Sequence, residues 1–373
     1  QAFTTSMERS VDGSHRYGLS LSGGLDTRVL LSALTRMGVP LSTFTLGEPG
    51  CADEVIAYKL AEMSSSRHRF VPLEERYLAD LLPMTQKMVS LTDGMYTSHG
   101  FTEVLALNAF EESDFSVLLR GHAGELAKAS TAWPLHTDPT IFAMQSKEQL
   151  VPYLLPRLDS LNHGQLARGV FASGFSEAAD EQVATQSLQT SSHVDLPPPD
   201  LCSYLYLHEY HRRVTVPSLE IFRNVVEVRL PLADADFVEC VLQAPSKWRD
   251  GVDIHQALIA RNSPEFLRVR NPNTGAPAGA GPRTEFVFDK LNTLLRRLNV
   301  YGYRHYHAFD GWMRRAFLQT ASRILFDPQT LERGVVKESA VRGLVERAQA
   351  GDAAPDHVLQ VLMLVELWQR ENL

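Results

Sequence analysis

Ser22-Gly23-Gly24-Leu25-Asp26-Thr27 is the stretch of this 373-residue chain best suited to holding a phosphate chain. Two adjacent glycines let an anion approach the backbone where side chains would block it. If a helix begins here, its first N–H groups point at the anion and its dipole favours negative charge there. Ser22 and Thr27 add hydroxyl donors. Asp26 looks misplaced among phosphates, since like charges repel. A magnesium ion shared between its carboxylate and the phosphates would remove the conflict. The same six residues also suit a tight turn with an N-capping hydroxyl and no ligand, so the flanking elements decide between the readings.

Those elements favour the cradle. Residues 17–21 read as a buried strand. Residues 27–37 read as a helix with an apolar face of Val29, Leu30, Leu31, Ala33 and Leu34, stopped by Gly38. Further strands are predicted at 41–46, 69–73 and 115–119. Helices are predicted at 53–63, 75–90 and 101–112. Strands and helices alternating at this spacing predict an α/β fold: a twisted parallel sheet of about five strands flanked by helices. Beyond residue 120 the strand signals fade. Residues 138–180 look weakly helical. Stronger helical patterns fall at 201–214, 234–244, 285–298, 310–325 and 355–370. Two stretches predict loops, the polar then proline-rich 187–200 and the Gly/Pro-rich 271–284, which reads as mobile.

Composition narrows the partners. The formal net charge is −8, which offers no global basic field for a nucleic acid. No apolar run reaches the length of a membrane span, and no signal peptide opens the chain. Cys51, Cys202 and Cys240 are odd in number and far apart, which predicts free thiols in a reducing compartment, the cytoplasm. The first residue is Gln1 rather than Met, so a processed terminus or an excised fragment is expected.

The hexapeptide resembles the pyrophosphate loop of the N-type ATP-pyrophosphatases. These cleave ATP between its α- and β-phosphates and leave an adenylated substrate. Within that superfamily the chain looks like the synthetase domain of the asparagine synthetase family, which also includes β-lactam synthetases and lasso-peptide cyclases. Four more segments carry the likeness, in the family's order. They are Phe44-Thr45-Leu46-Gly47 followed by Asp53-Glu54; Gly121-His122-Ala123-Gly124-Glu125; Val226-Glu227-Val228-Arg229-Leu230-Pro231; and the closing helix about Val358 to Trp368. The likeness implies an adenine nucleotide α-hydrolase-like fold over 16–373, with a nucleotide-binding core at 16–135 and a largely helical part at 136–373. Residues 1–15 would then be a tail or the remnant of a preceding segment.

The resemblance also implies ATP and Mg²⁺ as cofactors. Leu21, Ser22, Gly23, Gly24, Leu25, Asp26, Thr27, Leu46 and Gly121 would contact ATP, and Asp26 and Glu125 would hold the metal. Glu125 stands where the family has Asp, and by itself it also reads as a carboxylate favoured by a helix start. His122 falls at a variable position facing the activated substrate, or lies in a surface loop. Glu227 would lie near the reacting groups, or else pair with Arg229 to hold the fold. The family's catalytic Lys aligns with Pro272, which leaves Arg270 as the nearest cation and Lys290 as a further one. The Cys nucleophile of the family's glutaminase domain has no counterpart, so a separate glutaminase domain or subunit is an expected partner. The implied activity is AMP- and pyrophosphate-forming amide ligation between a small-molecule or peptide carboxylate and an amine or ammonia. Two alternatives stay open: a cyclising amide synthetase acting on a natural-product or peptide precursor, and a catalytically degenerate nucleotide-binding scaffold.

Overall fold

The structure, a computed structural model, describes residues 1–75, 81–96, 100–128, 135, 138–161, 164–172, 174–249, 251–306 and 313–373. The chain forms two compact units. The first takes residues 1–74, 106–137 and 222–308, and the second takes 75–105, 138–221 and 309–373.

The first unit is built on a five-stranded sheet in the order β3-β2-β1-β4-β5. Its strands are β1 (Tyr17–Ser20), β2 (Leu41–Gly47), β3 (Arg67–Pro72), β4 (Val117–Leu119) and β5 (Glu227–Arg229). Every pairing is parallel, with Tyr17 beside Leu41 and Val117, and Val117 beside Glu227. The expected fold class is therefore what the chain adopts. Four strands fall where the apolar runs predict them. The fifth has only three residues, charged at both ends and none of them buried, so it carries no strand signal of its own.

The helices of this unit are α1 (Ala2–Ser10), α2 (Leu25–Met37), α3 (Ala52–Ser64), α4 (Ala235–Gln243), α5 (Asp253–Asn262) and α6 (Pro282–Arg297). Residues 1–15, read as a tail or remnant, contain α1. It buries Phe3 and Met7 and sets the Phe3 ring 5.7 Å from that of Phe237 on α4. The apolar face of α2 lies against the sheet, with Val29, Leu30, Leu31 and Leu34 fully buried. Gly38 ends it in the left-handed conformation at φ 69°, donating to the Leu34 and Thr35 carbonyls. Under the sheet, the Phe44 ring packs edge-on against Phe110 at 4.2 Å and stacks on Phe115 at 5.7 Å. Gly18 sits inside β1 because a Cβ there would lie 2.7 Å from the Phe115 ring.

The Gly/Pro-rich stretch 271–284 is more ordered than its composition predicts. Arg270 bridges to Pro277, the Asn271 N–H donates to the Ala276 carbonyl at 2.7 Å, and α6 already begins at Pro282.

The second unit is helical. It includes Leu81–Thr92, Leu150–Leu161, Phe175–Ser192, Pro198–Leu205, Arg314–Leu325, Glu338–Gln349 and Ala354–Asn372. The stretch 187–200, predicted as a loop, is helical at both ends. Phe175–Ser192 runs through its first half as an exposed helix with no buried residue, and Pro198 opens the next helix at its first turn, where proline is tolerated. The predicted start of the 310–325 helix and residues 76–80 of the 75–90 helix lie outside the described residues. The last helix buries Leu359, Leu362, Met363 and Leu364. It also buries Glu366, which is only 3 % exposed and is met by Arg370 at 2.7 Å and Arg333 at 3.3 Å. Among the described residues, no helix is long and apolar enough to cross a membrane.

Candidate nucleotide site at the strand ends

The parallel sheet delivers its loops to one edge, at the C-terminal ends of the strands, where open α/β sheets bind ligands. β1 runs into Leu21, whose N–H donates to the Phe44 carbonyl at 2.8 Å and whose own carbonyl accepts from the Thr45 hydroxyl. The chain then turns through Ser22 and Gly23 to Gly24, the N-cap of α2, at φ −69° and ψ 167°. Gly24 gives this 13-residue helix no side-chain cap, so the N–H groups of its first turn are left to an anion. Ser22 Oγ accepts from the Gly24 N–H at 3.2 Å and lies 3.2 Å from Thr27 Oγ1. The hexapeptide thus gathers two hydroxyls beside an uncapped helix start.

Two side chains outside the motif fix this turn. Asp53, on α3, accepts from the Gly23 N–H at 2.7 Å. Burial pushes the Asp53 carboxyl upward from its ordinary range, against the pull of the Gly23 N–H, Arg296, His305 and Arg270. Arg28 is completely buried and donates to four carbonyls: Gly23 and Arg270 at 2.8 Å, Val269 at 2.7 Å and Phe266 at 3.2 Å. Desolvation lowers its guanidinium to about 10. Arg28 therefore ties the loop to residues 266–270, just before Pro272, which aligns with the family's lysine.

Asp26 lies in the first turn of α2, with its side chain 20 % exposed. Its Oδ1 is 2.8 Å from His255 Nε2, and its Oδ2 is 2.9 Å from Lys128 Nζ. Burial alone would raise the Asp26 carboxyl, but Lys128 and the His255 hydrogen bond outweigh it and hold the group down to about 2. In return, Asp26 and Glu125 raise the Lys128 ammonium against its own desolvation.

The second loop comes in directly beside Asp26. A Cβ on Gly121 would lie 2.8 Å from Asp26 Cβ, and one on Gly124 only 2.1 Å from Asp26 Oδ1. Ala123 turns the loop at φ 69°, and Glu125 follows in the first turn of the short 3₁₀ helix Gly124–Ala127. Lys128 follows that turn in an extended conformation, within electrostatic reach of Glu125. The first and second loops are therefore brought together, along with His122, which precedes the turn.

The donor chemistry suits magnesium. Mg²⁺ takes one or two protein carboxylates and completes its shell from phosphate and water. Asp26 and Glu125 are carboxylates of that type, the Asp26 oxygens here meeting His255 and Lys128, and no group of three or more His, Cys, Asp or Glu forms a metal cage among the described residues. Lys128 and His255 carry no signal in the sequence. A lone Lys between two alanines carries no motif, and His255 is 229 residues from its partner.

Leu46 is the penultimate residue of β2, at the same edge of the sheet. Pro272, aligned with the family's lysine, lies against the loop, with its Cγ 3.0 Å from where a Gly23 Cβ would be. Arg270 sits 4.2 Å above the Tyr303 ring, donates to the Gly302 carbonyl and has its guanidinium lowered by desolvation. Arg296 joins it from α6, donating to the Pro272 carbonyl. Lys290 is elsewhere on α6, its Nζ 5.3 Å from the Phe286 ring centroid. Glu227 starts β5, level with Tyr17 and Val117 at the N-terminal ends of their strands. It pairs with Arg229 at 2.6 Å, and Arg229 also reaches Asp12 and the Ser10 carbonyl. The structure does not bring Glu227 to the cradle. A cavity of about 220 Å³, lined by Ser42, His68, Phe110 and Asp114 among others, opens at that opposite edge and is separate from the cradle.

The model of the asparagine synthase family matches residues 1–255, about two thirds of the chain. No curated protein matches. The matched span holds both loops and ends on His255, so the Asp26 cluster lies within it, while Arg28's carbonyl partners at 266–270 and the Arg270–Arg296 pair lie beyond. The parallel sheet, the glycine turn at its C-terminal edge and this match together place the chain in the asparagine synthase family of ATP-dependent amide ligases.

Proposed function

We propose that the chain adenylates a substrate carboxylate with ATP and passes the acyl group to an amine or ammonia. The observation that carries this reading is the uncapped start of α2 beside the Ser22 and Thr27 hydroxyls, with Asp26 charge-compensated at its edge. The first-turn N–H groups and the hydroxyls take the β- and γ-phosphates. Leu46 and Gly121 lie on the adenine side. Asp26 and Glu125 would hold magnesium, which would supply positive charge to the phosphate oxygens. Lys128 adds a second positive charge within reach of the same carboxylates.

A carboxylate oxygen attacks the α-phosphorus, the bond to the bridging oxygen of the β-phosphate breaks, and pyrophosphate leaves. Arg270, beyond Lys128, is a further cation for the charge that develops on it. Arginine stays charged and clamps phosphate but does not shuttle protons, so its part is electrostatic. The amine nitrogen then attacks the acyl carbon, AMP departs, and the nitrogen loses a proton to solvent or to a base such as His122. Holding the two substrates in register supplies much of the rate. The free thiols suit a reducing compartment, the cytoplasm, and ammonia would come from a glutaminase domain or subunit.

The test is pyrophosphate release from ATP and Mg²⁺ over a panel of carboxylic acids, with and without added amine. Asp26→Asn is expected to lower the rate about a hundredfold or more, the scale of losing one organised electrostatic element. Equal release by both proteins removes the role of Asp26. Tight ATP binding with no release for any acid supports the scaffold alternative, and turnover only of acids carrying their own amine supports the cyclising one.

A further inference from the structure

α6 is built inside out. Its inward side is polar. Asn292 is 2 % exposed and donates to the Pro272 and Asn273 carbonyls at 3.1 and 3.0 Å, and Arg296 turns in to the Pro272 carbonyl. Its outward side is apolar. Phe286 and Val287 are each 66 % exposed, Leu291 48 %, Leu294 52 % and the following Leu298 64 %. A surface helix ordinarily turns its apolar stripe to the core. Here the stripe faces solvent over the length of the helix, and clustered exposed apolar side chains of this kind mark an interaction site.

The spacing says what shape fits it. Val287, Leu291, Leu294 and Leu298 recur at intervals of four, three and four residues, the seam of a two-helix coiled coil. Charge says which partner. Arg283, Lys290 and Arg297 follow one another seven residues apart along one edge of that seam. None of the three forms an ion pair with a carboxylate among the described residues. A second copy of the chain is a poor occupant. Antiparallel pairing would set these cations against each other, and parallel pairing would set them against Phe288 and Leu295. Neither pairing supplies a carboxylate.

We propose that α6 is the docking helix for a partner protein, which lays an amphipathic helix along the Val287–Leu298 seam with acidic side chains on the flank facing Arg283, Lys290 and Arg297. The surface is independent of the adenylation reaction, and Arg296, on the opposite face, stays with the nucleotide site.

The test uses two synthetic helical peptides of about three heptads, with leucine at the seam positions and either glutamate or lysine at the flanking ones. The chain's net charge of −8 repels an acidic peptide in general, so a preference for it has to come from the local edge. Fluorescence anisotropy is expected to show the glutamate peptide binding about tenfold more tightly than the lysine one, with the preference weakening at high salt. An Arg283→Glu/Lys290→Glu/Arg297→Glu variant should reverse the preference, and Leu291→Glu/Leu294→Glu should lose both peptides. All five positions are exposed, so circular dichroism of each variant should match the parent. Equal binding of the two peptides, or binding of neither, overturns the proposal. So does sedimentation of the unliganded chain as a dimer that Leu291→Glu/Leu294→Glu dissociates, since the occupant would then be a second copy.

Discussion

Asp26 is usable because two side chains from distant segments share its charge. Lys128 and His255 each take one oxygen, so the carboxylate can sit at a helix start in a largely enclosed place without an uncompensated charge. Removing the ammonium leaves that carboxylate facing only a histidine and the helix dipole. Lys128→Met is expected to lower stability by about 2 kcal/mol in urea unfolding at neutral pH, less than for a fully buried pair because some solvent reaches both groups. Lys128→Arg should lose less than half of that. A second residue-scale effect belongs to His68 on β3. Burial pushes its imidazole down to about 4 from the usual 6.5, while Nδ1 stays 2.9 Å from Thr43 Oγ1. The ring is thus neutral in the fold and protonated in the unfolded chain between these values. The unfolded state then binds the extra proton, and stability falls as pH drops from 6.5 through about 4. Urea midpoints measured across that window should decline in the parent and stay flatter in His68→Phe.

At the scale of elements, the glycine turn before α2 is only as well placed as its tether. α2 presents its N-terminus at the strand edge because Arg28, one turn in, binds the Gly23 carbonyl and three carbonyls of residues 266–270 at once. Each buried acceptor left without a donor costs about 1–3 kcal/mol. Arg28→Met is therefore expected to destabilise the chain by about 3 kcal/mol or more and to weaken ATP binding as well, because the loop and residues 266–270 are freed together. Isothermal titration with ATP and a thermal melt on the same variant would check both. Arg28→Lys should not rescue it, since a single ammonium does not span four carbonyls. An intact ATP affinity in Arg28→Met would show that the loop is held by Asp53 and the sheet alone.

For the molecule as a whole, the two compact units have different jobs in the sequence. The sheet unit carries the glycine turn and the loop at 121–125, and the helical unit is held by its own apolar core and by ion pairs such as Arg314–Asp356 at 2.7 Å. Cys51 and Cys202 are buried, Cys240 is exposed, and all three are free. Burial raises the Cys51 thiol to about 11, which keeps it protonated and unreactive. Stability should accordingly be the same with and without a reductant. A melting temperature that drops by more than a degree or two when dithiothreitol is added would point to a disulfide the fold does not contain.

Much was legible in the amino-acid order alone. The parallel sheet, the glycine turn and the two glycine-bearing loops depend on short-range periodicity and on the backbone freedom of a few residues, and these are written locally. The charge pattern around Asp26 is not local. Lys128 and His255 become its partners only once three segments meet at one strand edge, and Coulomb energy follows distance in space rather than along the chain. Arg28 reads as an ordinary polar residue on a helix until its burial is known, and the apolar pattern of α6 reads as a core face until Asn292 and Arg296 are found on the inward side. A helical pattern states that one face is apolar. Which way that face points is decided by what the rest of the chain packs against it.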